Sequence, residues 1–171
     1  MMNQWGLPTV ILEEAVLDAL RDMEKEGLYI PAIAMTGGFT SEDQVFKALA
    51  YGNNRVSAVG IGRAAMAAAM SGKRTGDKIL SGETPKNLLK YGSSIENIFL
   101  DLPDLRSLYG REANEFSTGA IGVFSYLNKI AFGLKHFAAL NRKFNINLLD
   151  QSDLIPLTRE ARELMRGQWF E

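Results

Sequence analysis

Cysteine is absent from all 171 positions. Disulfides, thiolate zinc sites, cysteine nucleophiles and cysteine-ligated iron–sulfur clusters are therefore excluded within this chain. Histidine occurs once, at His136. It falls in a long helical pattern, offset from that helix's apolar stripe, and reads as a surface or partly packed residue. No metal-ligand set is expected. Neither sign of charge dominates: 19 basic residues face 20 acidic ones, for a formal net charge of -1. That balance gives no global reason to seek nucleic acid or an acidic surface. No apolar run approaches the ~20 residues that span a bilayer. Residues 1–9 lack the basic start and apolar core of a signal peptide. The expectation is a cytoplasmic chain without nucleic-acid or membrane partners.

Apolar residues, by contrast, are plentiful, at 46% against 23% charged, the balance of an ordinary globular protein. The length supports a domain with a real core. It falls short of the ~250 residues of a whole (β/α)8 barrel. Seven methionines serve as core filler.

Along the chain, Leu7-Pro8-Thr9 reads as a loop entering a helix, with Thr9 as its cap and Glu13 and Glu14 favoured by the helix dipole. Leu12, Val16, Ala19, Leu20 and Met23 recur at helical spacing, and Gly27 ends the helix. Residues 29–35 form a continuous apolar run, which predicts a strand buried on both faces of a parallel sheet. Ser41 and Gln44 have capping-box spacing, so a second helix begins there and runs to Gly52. Asn53-Asn54 is a turn. Residues 56–61 repeat the buried-strand pattern, and Gly62 and Arg63 open an alanine-rich helix over residues 64–70. Residues 73–94, rich in glycine, proline and polar side chains, predict short helices and turns. Residues 95–108 look helical, with Pro103 a break point. Residues 119–143 carry the longest helical stripe, including Val123, Phe124, Ile130, Leu134 and Phe137. A last short helix over residues 154–165 has Ser152 as its expected cap.

Chemistry concentrates in the two strand–loop–helix units. Phosphate needs many donors at close range, and a Cβ at the contact points would hold it away. Gly37 and Gly38 follow the first strand, and Gly60 and Gly62 bracket the end of the second. Helix N-termini beyond them would direct amides and positive dipole ends to a common point. Arg63 adds a guanidinium able to grip two phosphate oxygens, and Thr36 and Ser41 offer hydroxyls. The plain alternative is a pair of tight βα turns without a ligand, since a Gly-x-Gly pair is a weak signal. Between Phe116 and Leu149 there are no acidic residues, while Lys129, Lys135, Arg142 and Lys143 are present. The alternatives there are a solvated basic face or a surface for an anionic ligand or partner. Trp5 and Trp169 near the termini suggest docked ends or an absent neighbour.

The segment from Thr36-Gly-Gly-Phe-Thr-Ser to Tyr51-Gly52, with Val59-Gly-Ile-Gly-Arg63, resembles the end of the FMN-dependent (β/α)8 barrels. Tyr91-Gly-Ser-Ser-Ile-Glu-Asn-Ile-Phe99, Ser117-Thr-Gly-Ala-Ile-Gly-Val-Phe-Ser-Tyr-Leu127, Leu140-Asn-Arg-Lys-Phe144 and Asp153-Leu-Ile-Pro-Leu-Thr158 narrow the likeness. They are similar to the C-terminal portion of the FMN-binding glutamate synthase family. The resemblance implies FMN as cofactor, its phosphate on Gly37, Gly38, Gly60, Gly62 and Arg63. It also implies an activity of glutamate synthesis from 2-oxoglutarate and ammonia with reduced FMN as electron donor. Better-known members carry cluster cysteines after the last barrel strand. Here that stretch is Ala67-Ala-Ala-Met-Ser-Gly-Lys73, so no iron–sulfur cluster is expected.

The expected fold is α/β: the last two units of a partial barrel over residues 1–72, then a helical extension over residues 73–171. Earlier strands would hold most of the flavin ring and 2-oxoglutarate, so the chain is expected to be incomplete for catalysis alone. A separate chain supplying those strands, or self-association, would cover the sheet edges. The competing readings are a non-catalytic remnant or assembly module holding a partner, and a binder of another phosphorylated ligand.

Overall fold

The computed structural model describes residues 6–165. Trp5 and Trp169 lie outside the described residues. The fold mixes helix and sheet and divides into two compact units. One takes the chain up to Ile61 and again from Gly133, and the other is Gly62–Phe132. The boundary expected near residue 72 instead falls within a helix.

The first unit opens with α1 (Thr9–Lys25). Pro8 occupies the N-cap position, so Thr9, expected as the cap, is already the first helical residue. Glu13 and Glu14 lie beyond the first turn, which carries no acid. The buried line is Glu13, Leu17 and Leu20, while Leu12 is 46% exposed. Of the apolar stripe read from sequence, Leu20 is buried and Val16 and Met23 pack against the core, while Leu12 and Ala19 are exposed. Gly27 ends the helix as expected. Its φ of 70° is left-handed, its amide bonds the Glu24 carbonyl, and the Leu28 amide bonds that of Met23, a Schellman closure.

Strand β1 (Ile33–Thr36) and strand β2 (Val56–Gly60) pair in parallel. Ile33 stands opposite Val56, Ala34 opposite Ala58, Met35 opposite Val59 and Thr36 opposite Gly60, with an irregularity after Ile33 that leaves Ser57 extra. Between them runs α2 (Glu42–Tyr51), C-capped by Gly52. Asn53 and Asn54 then turn the chain with φ of 47° and 64°, a conformation asparagine tolerates. The strands are not buried on both faces. Met35 and Val56 are buried and Ile33 and Val59 half-buried, whereas Ala34, Thr36, Ser57 and Ala58 are exposed. Contacts of α1 with β1 and of α2 with β2 account for the covered side.

The core of this unit has two clusters. Leu17, Leu20, Tyr51 and Met165 form one, with Ile30, Ile33 and Leu154 against it. Phe46, Ala50, Ala138 and Leu149 form the other, where the rings of Phe46 and Phe137 meet at 5.5 Å. Large apolar residues of this kind each contribute about 1.5–3 kcal/mol by leaving water. The short α7 (Arg159–Leu164) closes the described chain, capped by the Thr158 hydroxyl, which accepts from the Ala161 amide, and not by Ser152.

The second unit is helical. α3 (Arg63–Leu80) runs ten residues past its expected end at residue 70. α4 (Ile95–Ile98) and α5 (Leu102–Tyr109) follow, separated just before Pro103, close to the expected break. α6 (Thr118–Leu140) is the expected long helix, and its residues from Gly133 on belong to the first unit. A side chain at Gly72 would put its Cβ 2.5 Å from the Thr118 carbonyl oxygen and 3.1 Å from the Gly122 Cα. One at Gly76 would meet the Thr118 side chain at 2.1 Å. At Gly72 the two helices therefore approach backbone to backbone, and Gly76 makes room for the Thr118 side chain. Packing overrides their poor intrinsic propensity. Ile79, Phe99, Leu102, Leu105, Ala113 and Ile121 form the core here.

Candidate functional site

In the first unit, Gly37, Gly38 and Gly60 gather at the carboxyl end of the parallel pair, because Thr36 is the residue paired with Gly60. Each glycine has its own reason. Gly37 has φ of 131°, and a Cβ there would lie 2.7 Å from the Thr9 hydroxyl oxygen. That hydroxyl, freed from capping duty, donates to the Gly37 carbonyl at 2.8 Å. A Cβ at Gly60 would meet the Thr36 methyl at 2.6 Å. Gly38, with φ of 79°, faces open space. The protein's own side chains thus account for glycine at two positions, while Gly38 leaves its backbone approachable.

The helix after this loop is not built as expected. Ser41 makes no cap bond to the α2 backbone. Its hydroxyl donates instead to Asp43, and Gln44 accepts from the Thr40 amide at 2.8 Å. The Ser41 hydroxyl and then Lys47 hold the Asp43 carboxyl below its usual range. With Glu42 and Asp43 in its first turn, α2 has already matched its dipole with its own acids.

Gly62 and Arg63 belong to the second unit. Gly62 is the N-cap of α3 and offers no side-chain cap, and a Cβ added there would meet no atom within 4 Å. The first turn of α3 carries no acid. Arg63 is exposed. The start of α3 therefore presents uncapped amides beside a permanent cation, whereas α2 presents carboxylates.

One cluster in the first unit belongs to no motif visible in the sequence. Glu13 is 3% exposed, and its Oε1 finds no hydrogen-bond partner among the described residues. Burial, with the neighbouring Glu14 charge, pushes its carboxyl up to about 8. The Tyr51 hydroxyl lies 2.5 Å from Glu14 Oε2 and 3.0 Å from the Leu164 carbonyl oxygen. Arg21 bridges Glu14 at 2.8 Å and Asp18 at 2.6 Å. Burial, then the bond to Glu14, raises the Tyr51 phenol. The one signal for Glu13 is its spacing, four residues before Leu17 and seven before Leu20.

The remaining candidates are surface features. His136 is exposed, as are Lys129, Lys135 and Arg142. Lys143 instead joins Asp150 and Asp153, each at 2.8 Å. Among the described residues no group of three or more histidine, cysteine or acidic side chains is placed to hold a metal. No described helix is long and apolar enough to cross a membrane. Compared with family models, curated proteins and solved structures, the chain matches none.

Proposed function

We propose that this chain is the C-terminal part of a glutamate-synthase-like, FMN-dependent oxidoreductase. In this reading it contributes the FMN phosphate site through Gly37, Gly38, Gly60, Gly62 and Arg63, and β1 and β2 are the last two strands of a (β/α)8 barrel. FMN, when bound, supplies the redox chemistry, and this chain's share is to hold its phosphate.

One observation carries the reading. A parallel sheet is ordinarily covered on both faces, because its crossover helices lie on them. Here one face is packed, while the small residues Ala34, Thr36 and Ala58 are exposed on the other, beside the half-buried Gly60. The reading is supported by this arrangement, since in a barrel the helices lie on the outer side of the strands and the sites form at the loops on their carboxyl ends. Further strands, from a separate chain or a second copy, would cover it.

Flavin fluorescence tests the phosphate assignment. FMN is titrated against riboflavin, which lacks the phosphate, and against a simple phosphomonoester as competitor. The expected result is preference for FMN over riboflavin by about tenfold, lost in Arg63→Ala. Equal affinity for the two flavins removes the phosphate site. Competition by the phosphomonoester without any flavin preference points to another phosphorylated ligand.

A further inference from the structure

The second unit contains a cleft of about 420 Å³ that the phosphate site does not use. It is bounded by α3 (Ala68, Ser71, Gly72, Thr75), by α6 (Gly122, Ser125), by residues 98–101 and by Leu88. Its size lies in the range of small-molecule sites. Its floor is bare because Gly72 and Gly122 meet there without side chains. Ile98, Phe99 and Leu88 supply an apolar wall.

The polar groups are unusual in what they forgo. Asp101 is the N-cap residue of α5, a position whose carboxylate ordinarily accepts from its own helix's amides. Its side chain makes no such bond. It lines the cleft instead, half-buried, and accepts from Asn128 Nδ2 at 3.0 Å. A neutral amide is its hydrogen-bond partner, and among the described residues no cation lines the cleft. Ser71 and Thr75 stand one turn apart on α3, and Ser125 stands on α6. Helical hydroxyls commonly bond back to a carbonyl one turn earlier. These three make no side-chain hydrogen bond among the described residues, although they share a cavity wall.

From this juxtaposition we infer that the cleft between α3, α6 and residues 98–101 binds a small organic ammonium. Its cationic head would lie on the Asp101 carboxylate, its two remaining N–H groups within reach of the hydroxyls that Ser71, Thr75 and Ser125 contribute to the wall, and its carbon chain on Ile98 and Phe99. An anion would meet a carboxylate without compensation. A neutral alcohol would donate a single bond to the carboxylate, without the attraction between opposite charges and without the further N–H donors.

The test is a two-dimensional amide NMR titration of the full chain with n-butylammonium, using butyrate and n-butanol as matched controls at fixed low salt. Saturable shifts at Ser71, Thr75, Asp101 and Ser125 with the ammonium alone are expected. Asp101→Asn, which keeps the amide contact, should weaken the apparent Kd by about tenfold. Ser71→Leu, at an exposed position, should close the cleft and abolish the shifts while leaving the spectrum dispersed. No saturable shift with n-butylammonium, an equal response to n-butanol, or an unchanged Kd in Asp101→Asn overturns the inference.

Discussion

Glu13 puts a carboxyl on the helix line that otherwise carries Leu17 and Leu20. Its pKa is raised from 4.5 to about 8 in the folded chain. The folded state therefore binds this proton more tightly than the unfolded one. Stability from this group is full below about pH 4.5 and is lost as pH rises through about 8. Glu13→Gln should flatten that fall and stabilise the protein at pH 9 by about 2–4 kcal/mol, with little gain at pH 4. Urea unfolding at the two pH values checks it; an unchanged pH profile would mean that the carboxyl is solvated. Tyr51→Phe should cost about 1–2 kcal/mol by removing the hydroxyl that reaches Glu14 and Leu164. Because Glu14 shares that contact, the double variant with Glu14→Gln should be clearly non-additive in the same unfolding assay. At this scale the sequence is legible where geometry is local. Gly27 and Asn53-Asn54 need only their own backbone angles. The role of Thr9 is not legible, because what takes it from the cap is Gly37, 28 residues away.

Elements show the same division. α6 is plain from its stripe, and α2 from its bounds, though not from its cap. α3 reads short because residues 73–94 are rich in glycine, proline and polar side chains. In three dimensions Gly72 and Gly76 are the contact surface with Thr118 and Gly122. The consequence is a sign reversal. On an isolated helix, Gly→Ala gains about 1 kcal/mol. At Gly72 the added carbon would lie 2.5 Å from a backbone carbonyl oxygen, which cannot turn aside as a flexible side chain can. Gly72→Ala should therefore lower stability, by about 1–3 kcal/mol. The same change at Gly133 would put the new carbon 2.5 Å from Glu42 Cγ and 2.9 Å from its Cβ and should also lower stability. Thermal unfolding of the two variants checks both, and a higher Tm for Gly72→Ala would rule out the close crossing.

For the whole molecule, the decisive feature is a parallel pair with one open face and, among the described residues, two unpaired edges. The alternation of buried and exposed residues is invisible in the apolar runs. Ala34 and Ala58 count as apolar in sequence whichever way they point. The five residues of the candidate phosphate site are legible as glycines and one arginine. The reasons for Gly37 and Gly60 are not, because Thr9 and Thr36 are brought to them by folding and by strand register. An uncovered sheet of this kind should associate. Sedimentation velocity over a concentration series is expected to show reversible self-association, weakened by Ala58→Lys on the open face. A monomer at every concentration would argue that the face is stable in water.

The first unit is also assembled from two stretches of chain, and the Tyr51 hydroxyl meets a carbonyl 113 residues later. During synthesis, then, the opening strands leave the ribosome long before the segment that completes their core. The unit numbered second can finish first, while the earlier one waits half-made and in need of protection until its closing helices emerge.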